Sequence, residues 1–184
     1  MRAQLANSVR DAFSRHMKQE FPRFAPIGPT GVLSGGLLYR WPRATDLSCY
    51  IYLQISAKDY QDWFMVELAC STNGFPIHLS TFGPNDVREG CVRFLLPELY
   101  REEWRPKSRR IPFWWIGPPV VPQEVTAKAV ERAVAGKRPL VDEGMPIEQA
   151  LPLVEPQVQD AIDRIKRFGI PFFEKFAQSQ AAKT

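Results

Sequence analysis

The chain is short of the residues that most often carry chemistry. Its 184 residues include three cysteines and two histidines. Cys49, Cys70 and Cys91 show no C-x-x-C spacing, so no secreted disulfide framework is indicated. With His16 and His78 as the imidazoles, a zinc site lacks ligands at the usual spacing. The expectation is three reduced thiols acting as small hydrophobes, with no metal and no cofactor. Apolar runs fall far short of the roughly 20 residues that span a bilayer. The first residues meet Arg10 and Asp11 before any hydrophobic run develops, unlike a secretory signal. A cytoplasmic chain with no membrane partner is expected. Catalytic motifs are also missing. Ser34 stands among glycines in Gly31-Val-Leu-Ser34-Gly-Gly36, but position 32 is Val where a nucleophile elbow needs Gly-x-Ser-x-Gly. Gly28-Pro-Thr-Gly31 lacks the Gly-Lys-Ser/Thr of a phosphate loop. His78 sits beside a proline-bearing stretch and reads as a surface residue before it reads as a base. Glu102-Glu103 and Asp142-Glu143 have no pattern around them. No catalytic residue is assigned.

What is present is ordinary globular composition, 45% hydrophobic and 24% charged, which excludes collagen-like and wholly disordered chains. A chain of this length buries roughly 70% of its unfolded surface and folds without disulfides or metal. Proline is abundant: 17 residues, about 9% against a typical ~5%, so loops are many and stiff. The net charge of +4 is unevenly placed. Residues 1–43 and 101–118 are basic, residues 44–100 are acidic, and the remainder balances. A nucleic-acid binder usually presents one dominant basic face, and this pattern does not.

Residues 3–20 read as an amphipathic helix with Leu5, Val9, Ala12, Phe13 and Met17 on one stripe, ended by Pro22. Residues 26–36 read as loop, leading to a first strand near Leu37–Trp41. Ser48–Ser56 and Asp62–Ser71 alternate as strands, and Asn73-Gly74 is a hairpin signal followed by a candidate strand over 75–81. Gly83–Asp86 reads as a turn and Cys91–Leu96 as a further strand. Residues 101–122 read as an irregular proline-rich, aromatic and basic loop. Helices are expected over 122–137 and from about Pro156 to Gly169, after a short turn at Pro146 broken by Pro152. Ile170–Phe176 reads as a docking apolar segment and 178–184 as a frayed tail. The fold class is therefore α+β over 1–184. An antiparallel sheet of four to five strands carries the N-terminal helix and C-terminal helices within 123–177.

Strand parity sorts the side chains into two faces. Ile51, Leu53, Phe64, Val66, Leu68 and Phe94 form the expected core against the first and last helices. The other face collects Tyr50, Tyr52, Gln54, Trp63, Met65, Glu67 and Arg93, with Arg40 at its margin. Large aromatics beside Arg and Glu are what interfaces enrich. Arg40, Tyr50, Tyr52, Trp63, Glu67 and Arg93 are thus the candidate partner-binding residues; the alternative is that this face is covered as a second core layer. A second candidate surface, for nucleic acid, is Arg105, Lys107, Arg109, Arg110 and Trp114, a basic run beside tryptophan as in single-strand grooves. Ile111, Phe113 and Ile116 around Trp114-Trp115 favour a buried strand there instead.

Tyr50-Ile-Tyr-Leu-Gln-Ile-Ser56, then Phe64-Met-Val-Glu-Leu68, then Val92-Arg-Phe-Leu-Leu96, then Trp114-Trp115-Ile116 resembles the bacterial domain-of-unknown-function 4304 family. The resemblance covers roughly residues 3–135. It departs in two places: Glu67 stands where a neutral amide is expected, and no acid directly precedes Trp114. The resemblance implies no activity and no catalytic residue; by analogy it implies a bacterial immunity or regulatory partner. The reading that emerges is a non-enzymatic protein-binding domain. The alternatives are a nucleic-acid-associated module using 101–115, or an enzyme with a cleft around Glu67, Arg93 and His78.

Overall fold

A computed structural model describes residues 1–27, 36–43, 46–56, 62–72, 74, 84–85, 87, 91–100, 114–116 and 145–182. The expected strand over 75–81, the turn at 83–86 apart from Pro84-Asn85, the helix over 122–137, and His78 lie outside the described residues. So do Ser34, Glu102-Glu103, Asp142-Glu143 and the basic residues Arg105, Lys107, Arg109 and Arg110.

Helix α1 spans Ala3–Glu20 and buries Leu5, Ala6, Val9, Ala12, Phe13 and Met17, the stripe that its 3.6-residue period sets out. The chain then forms strands β1 (Ala25–Ile27), β2 (Leu37–Pro42), β3 (Ser48–Ile55), β4 (Trp63–Ser71) and β5 (Val92–Leu95). They pair antiparallel in the order β1-β2-β3-β4-β5. A two-residue strand, β6 (Trp114–Trp115), pairs with Trp63 and Phe64 at the far end of β4. Strand β1 falls where the sequence reads as loop. Its Pro26 donates no ladder hydrogen bond, and it is tolerated because β1 is the edge of the sheet.

The C-terminal region corrects a second expectation. Ile147–Ala150 forms a short helix α2, a 3-10 turn covers Leu151–Leu153, and helix α3 spans Val154–Arg164. The chain then takes a single π-type turn, Ile165–Gly169, and goes on as α4 over Ile170–Ala181. Pro152 lies in the 3-10 turn that interrupts the α-helical pattern, as expected, whereas Gly169 does not end the helix. Pro156 lies in the first turn of α3, where its missing N–H costs no helix bond. At the other junction the Ile170 N–H reaches back to the Ile165 carbonyl, a wider turn that carries the helix past Pro171. Residues 178–181, expected to fray, are helical.

Both helical regions lie on one face of the sheet. Phe13 meets Tyr39 with ring centroids 6.1 Å apart, and Phe24 meets Trp41 at 5.3 Å and Phe173 at 5.8 Å. Phe94 meets Phe172 edge-on at 4.7 Å. Ile51, Leu53, Phe64, Val66, Leu68 and Phe94 are each fully buried in this core, as parity predicts. Gly169 lets the last helix sit close to the sheet, since a Cβ there would stand 3.1 Å from Leu68 Cδ1. Among the described residues no helix is long and apolar enough to cross a membrane.

Candidate functional site

The register places the candidate residues in two neighbouring rows across the strands. Arg40, Tyr50, Ala69 and Arg93 form one row, and Leu38, Tyr52, Glu67 and Leu95 form the next. Parity therefore brings together Arg40, Tyr50, Tyr52, Glu67 and Arg93 as the sequence implies. Trp63 is separate. It begins β4 and lies four residues from Glu67, about 13 Å along a strand.

Small Ala69 separates Tyr50 from Arg93 and leaves the guanidinium room to lean diagonally toward Glu67. Arg93 Nε donates to Glu67 Oε2 at 2.6 Å, with the two side chains 12% and 3% exposed. Arg40 Nε donates to Ser48 Oγ at 2.9 Å, and Ser71 Oγ lies 3.0 Å from Cys91 Sγ. The polar groups of this face thus satisfy one another, as buried polar groups must.

The expectation of an open aromatic surface is not met at the centre of this face. Tyr50, Tyr52 and Glu67 are only 2%, 4% and 2% exposed, and the two tyrosines pack with Leu38 and Ala69 as a second apolar cluster. Tyr52 is pressed by the backbone of Gly36, where a Cβ would fall 2.4 Å from Tyr52 Cε2 and 2.5 Å from the Leu53 carbonyl. Burial, and then the Glu67 carboxylate, push the Tyr52 phenol above its ordinary value, against the pull of Arg93. The phenol stays neutral and can donate a hydrogen bond. The Glu67 carboxylate is committed to a guanidinium, and the pair ties β4 to β5. Exposure survives at the margins: Arg40 is exposed, while Gln54, Trp63, Met65, Arg93 and Leu95 are half-buried.

Trp114 requires a second correction. It is 7% exposed and stacks on Phe64, with ring planes 8° apart and centroids 5.5 Å apart. Its indole Nε1 donates to Asp160 Oδ2 at 2.8 Å, and Arg164 Nε donates to the same oxygen at 2.8 Å. A ring held this way offers no face to a nucleic-acid base. The buried-strand alternative describes it.

Sequence reasoning missed Asp160 and Gly36 because Trp114 and Tyr52, the rings they meet, lie elsewhere in the chain. Ser48 and Ser71 were legible by parity, as the polar positions of the same face. Among the described residues no group of three or more His, Cys, Asp or Glu is placed to hold a metal ion. Comparison with known protein families, with curated proteins and with solved structures yields no match to this chain.

Proposed function

We propose that this chain is a non-catalytic protein-binding module. Its contact surface is the half-exposed end of the second sheet face, around Gln54, Trp63, Met65 and Leu95. One contrast carries this reading: the centre of the face is buried and internally paired, while this end keeps an indole, a thioether and an amide partly in solvent. Tryptophan and methionine are enriched at protein interfaces, where one well-placed ring carries much of the binding energy. Glu67 and Tyr52 then act as the stiff floor behind the contact surface. A protein partner suits it better than a nucleic acid, because Trp114 is stacked inward and Glu67 offsets the charge of Arg93. An immunity or regulatory role in a bacterium is the form of this function that the resemblance to the domain-of-unknown-function 4304 family implies.

The experiment is a three-way comparison of Trp63→Ala, Met65→Ala and Tyr52→Ala. Each is assayed for melting temperature and for capture of protein partners from cell extract. Trp63→Ala is expected to lose a partner that the parent chain retains, at a cost of about 2 kcal/mol or more in binding, with its fold intact. Tyr52→Ala is expected to lose stability first. Capture that survives both Trp63→Ala and Met65→Ala, or a captured nucleic acid released steeply by salt, would overturn the reading.

A further inference from the structure

The geometry points to a latent disulfide between Cys49 and Cys70. The two are direct partners in the β3–β4 register, both on the helix-packed face. Their Sγ atoms lie 3.3 Å apart. Directly opposed residues of an antiparallel pair have Cα atoms about 4.5–5.5 Å apart. That falls inside the roughly 4.4–6.8 Å range that disulfides span. Closing the sulfurs to a bond of about 2.05 Å needs a movement of about 1.3 Å, within reach of the side chains alone.

Cys91 is set apart. Its sulfur lies beside Ser71 Oγ on the opposite face of the sheet, because Val92, the partner of Cys70, is the residue that points into the helix-packed core. Cys49 and Cys70 therefore face each other, while Cys91 lies beside Ser71 on the other face.

Access is the remaining requirement. Both cysteines are fully buried, and burial followed by the neighbouring thiol raises the Cys70 thiol well above its ordinary value. A closed sheet thus protects the pair, since the thiolate is the reactive form. The pair nevertheless sits one residue in from an end of the sheet: β3 begins at Ser48 and β4 ends at Ser71. Strand ends open locally at low free-energy cost, and the Arg43 charge, which favours the Cys70 thiolate, stands at this same end.

The oxidant is a small-molecule disulfide. In the opened end, one cysteine thiolate attacks a sulfur of that disulfide, forming a mixed disulfide and releasing one small thiolate. The second cysteine thiolate then attacks the protein-side sulfur, closing the Cys49–Cys70 bond and releasing the second small thiolate. The two cysteine protons end on the released thiols, and two electrons pass from protein to oxidant.

The test uses the full chain and oxidised glutathione, at native conditions and at sub-denaturing urea. The reaction is trapped in acid and digested with trypsin without reduction. Cleavage at Lys58 separates the two cysteines, so a linked pair of peptides is diagnostic. The expected result is a Cys49–Cys70 link, a free Cys91, and a rate that rises with urea below the unfolding transition. Cys49→Ala and Cys70→Ala should each abolish intramolecular linkage. Retention of all three thiols throughout, stable glutathione adducts on Cys49 or Cys70, or any link to Cys91 under these conditions would overturn the proposal. Fully unfolded chain, oxidised in parallel, should give mixed pairings and so shows that the native selectivity comes from the fold.

Discussion

Gly36 shows how much one residue decides. An added methyl at Gly36 would collide with the Tyr52 ring at 2.4 Å and with a main-chain oxygen at 2.5 Å, and the latter cannot rotate away. Gly36→Ala is therefore expected to lower stability by about 1–3 kcal/mol, the usual cost of overpacking, read as a fall in denaturation midpoint. An unchanged midpoint would mean that β2 and β3 can separate freely at this point. The Glu67–Arg93 pair makes a different demand. Removing one member of a buried ion pair leaves the other desolvated and unpaired, at a cost of about 3–5 kcal/mol, whereas replacing both is often far milder. Arg93→Met should accordingly destabilise more than the double variant Glu67→Gln, Arg93→Met. Additive losses in urea unfolding would show that the two side chains do not depend on one another.

At the scale of elements, helix α1 has no side-chain cap of its own; Arg2 occupies the capping position. Asp62, the residue before β4, supplies what is missing. Its Oδ1 accepts from the Arg2 backbone N–H at 3.1 Å, and its Oδ2 accepts from Arg2 Nε at 3.0 Å. An acceptor and negative charge at a helix N-terminus suit the orphan donors and the dipole there. Asp62→Ala should cost about 1 kcal/mol in thermal unfolding. Between α1 and α3, Glu155 accepts from Arg15 and bonds with His16 at 2.8 Å, and these bonds hold its carboxyl below the usual carboxylate value. A depressed carboxyl stabilises the fold above its unfolded value, near ~4.3, and loses that contribution as pH falls through the folded value. The advantage over Glu155→Gln should thus be present at neutral pH, stay within about 1 kcal/mol because the site is exposed, and vanish on acidification below pH about 4. A difference that persists at pH about 2 would assign the effect to packing. The C-terminal region departs from its local sequence signals for a reason at the same scale. Gly169 and Pro171 carry the local marks of a helix end. Locally that inference is sound. Gly169 serves instead to bring the helix against Leu68, a contact written in the sheet about a hundred positions earlier in the chain.

For the whole molecule, alternation along β3 and β4 was enough to assign every side chain to its face, because the period of a strand admits no drift. Alternation does not report whether a face is covered, since that depends on what the rest of the chain lays over it. The grouping of Tyr50, Tyr52, Glu67 and Arg93 was therefore legible, and the burial of the first three was not. A sheet buried on both faces near its middle has a consequence for opening. Strand β3 is hydrogen-bonded on both sides by β2 and β4, and seven of its eight residues are buried. Strand β1 has three residues, the first two exposed, and lies at the edge. Local opening should be cheapest at such edges and should approach the global unfolding free energy in the centre. Native-state amide exchange is expected to be slowest at Ile51–Leu53 and Val66–Leu68, faster toward the Ser48 and Ser71 ends of these strands, with α1 intermediate and Ala25 and Ile27 fastest among the strands. If α3 and α4 retained protons longer than β3, the helices would be the stable framework and the sheet a layer that docks on it. The Cys49–Cys70 end would then open more readily than its burial implies.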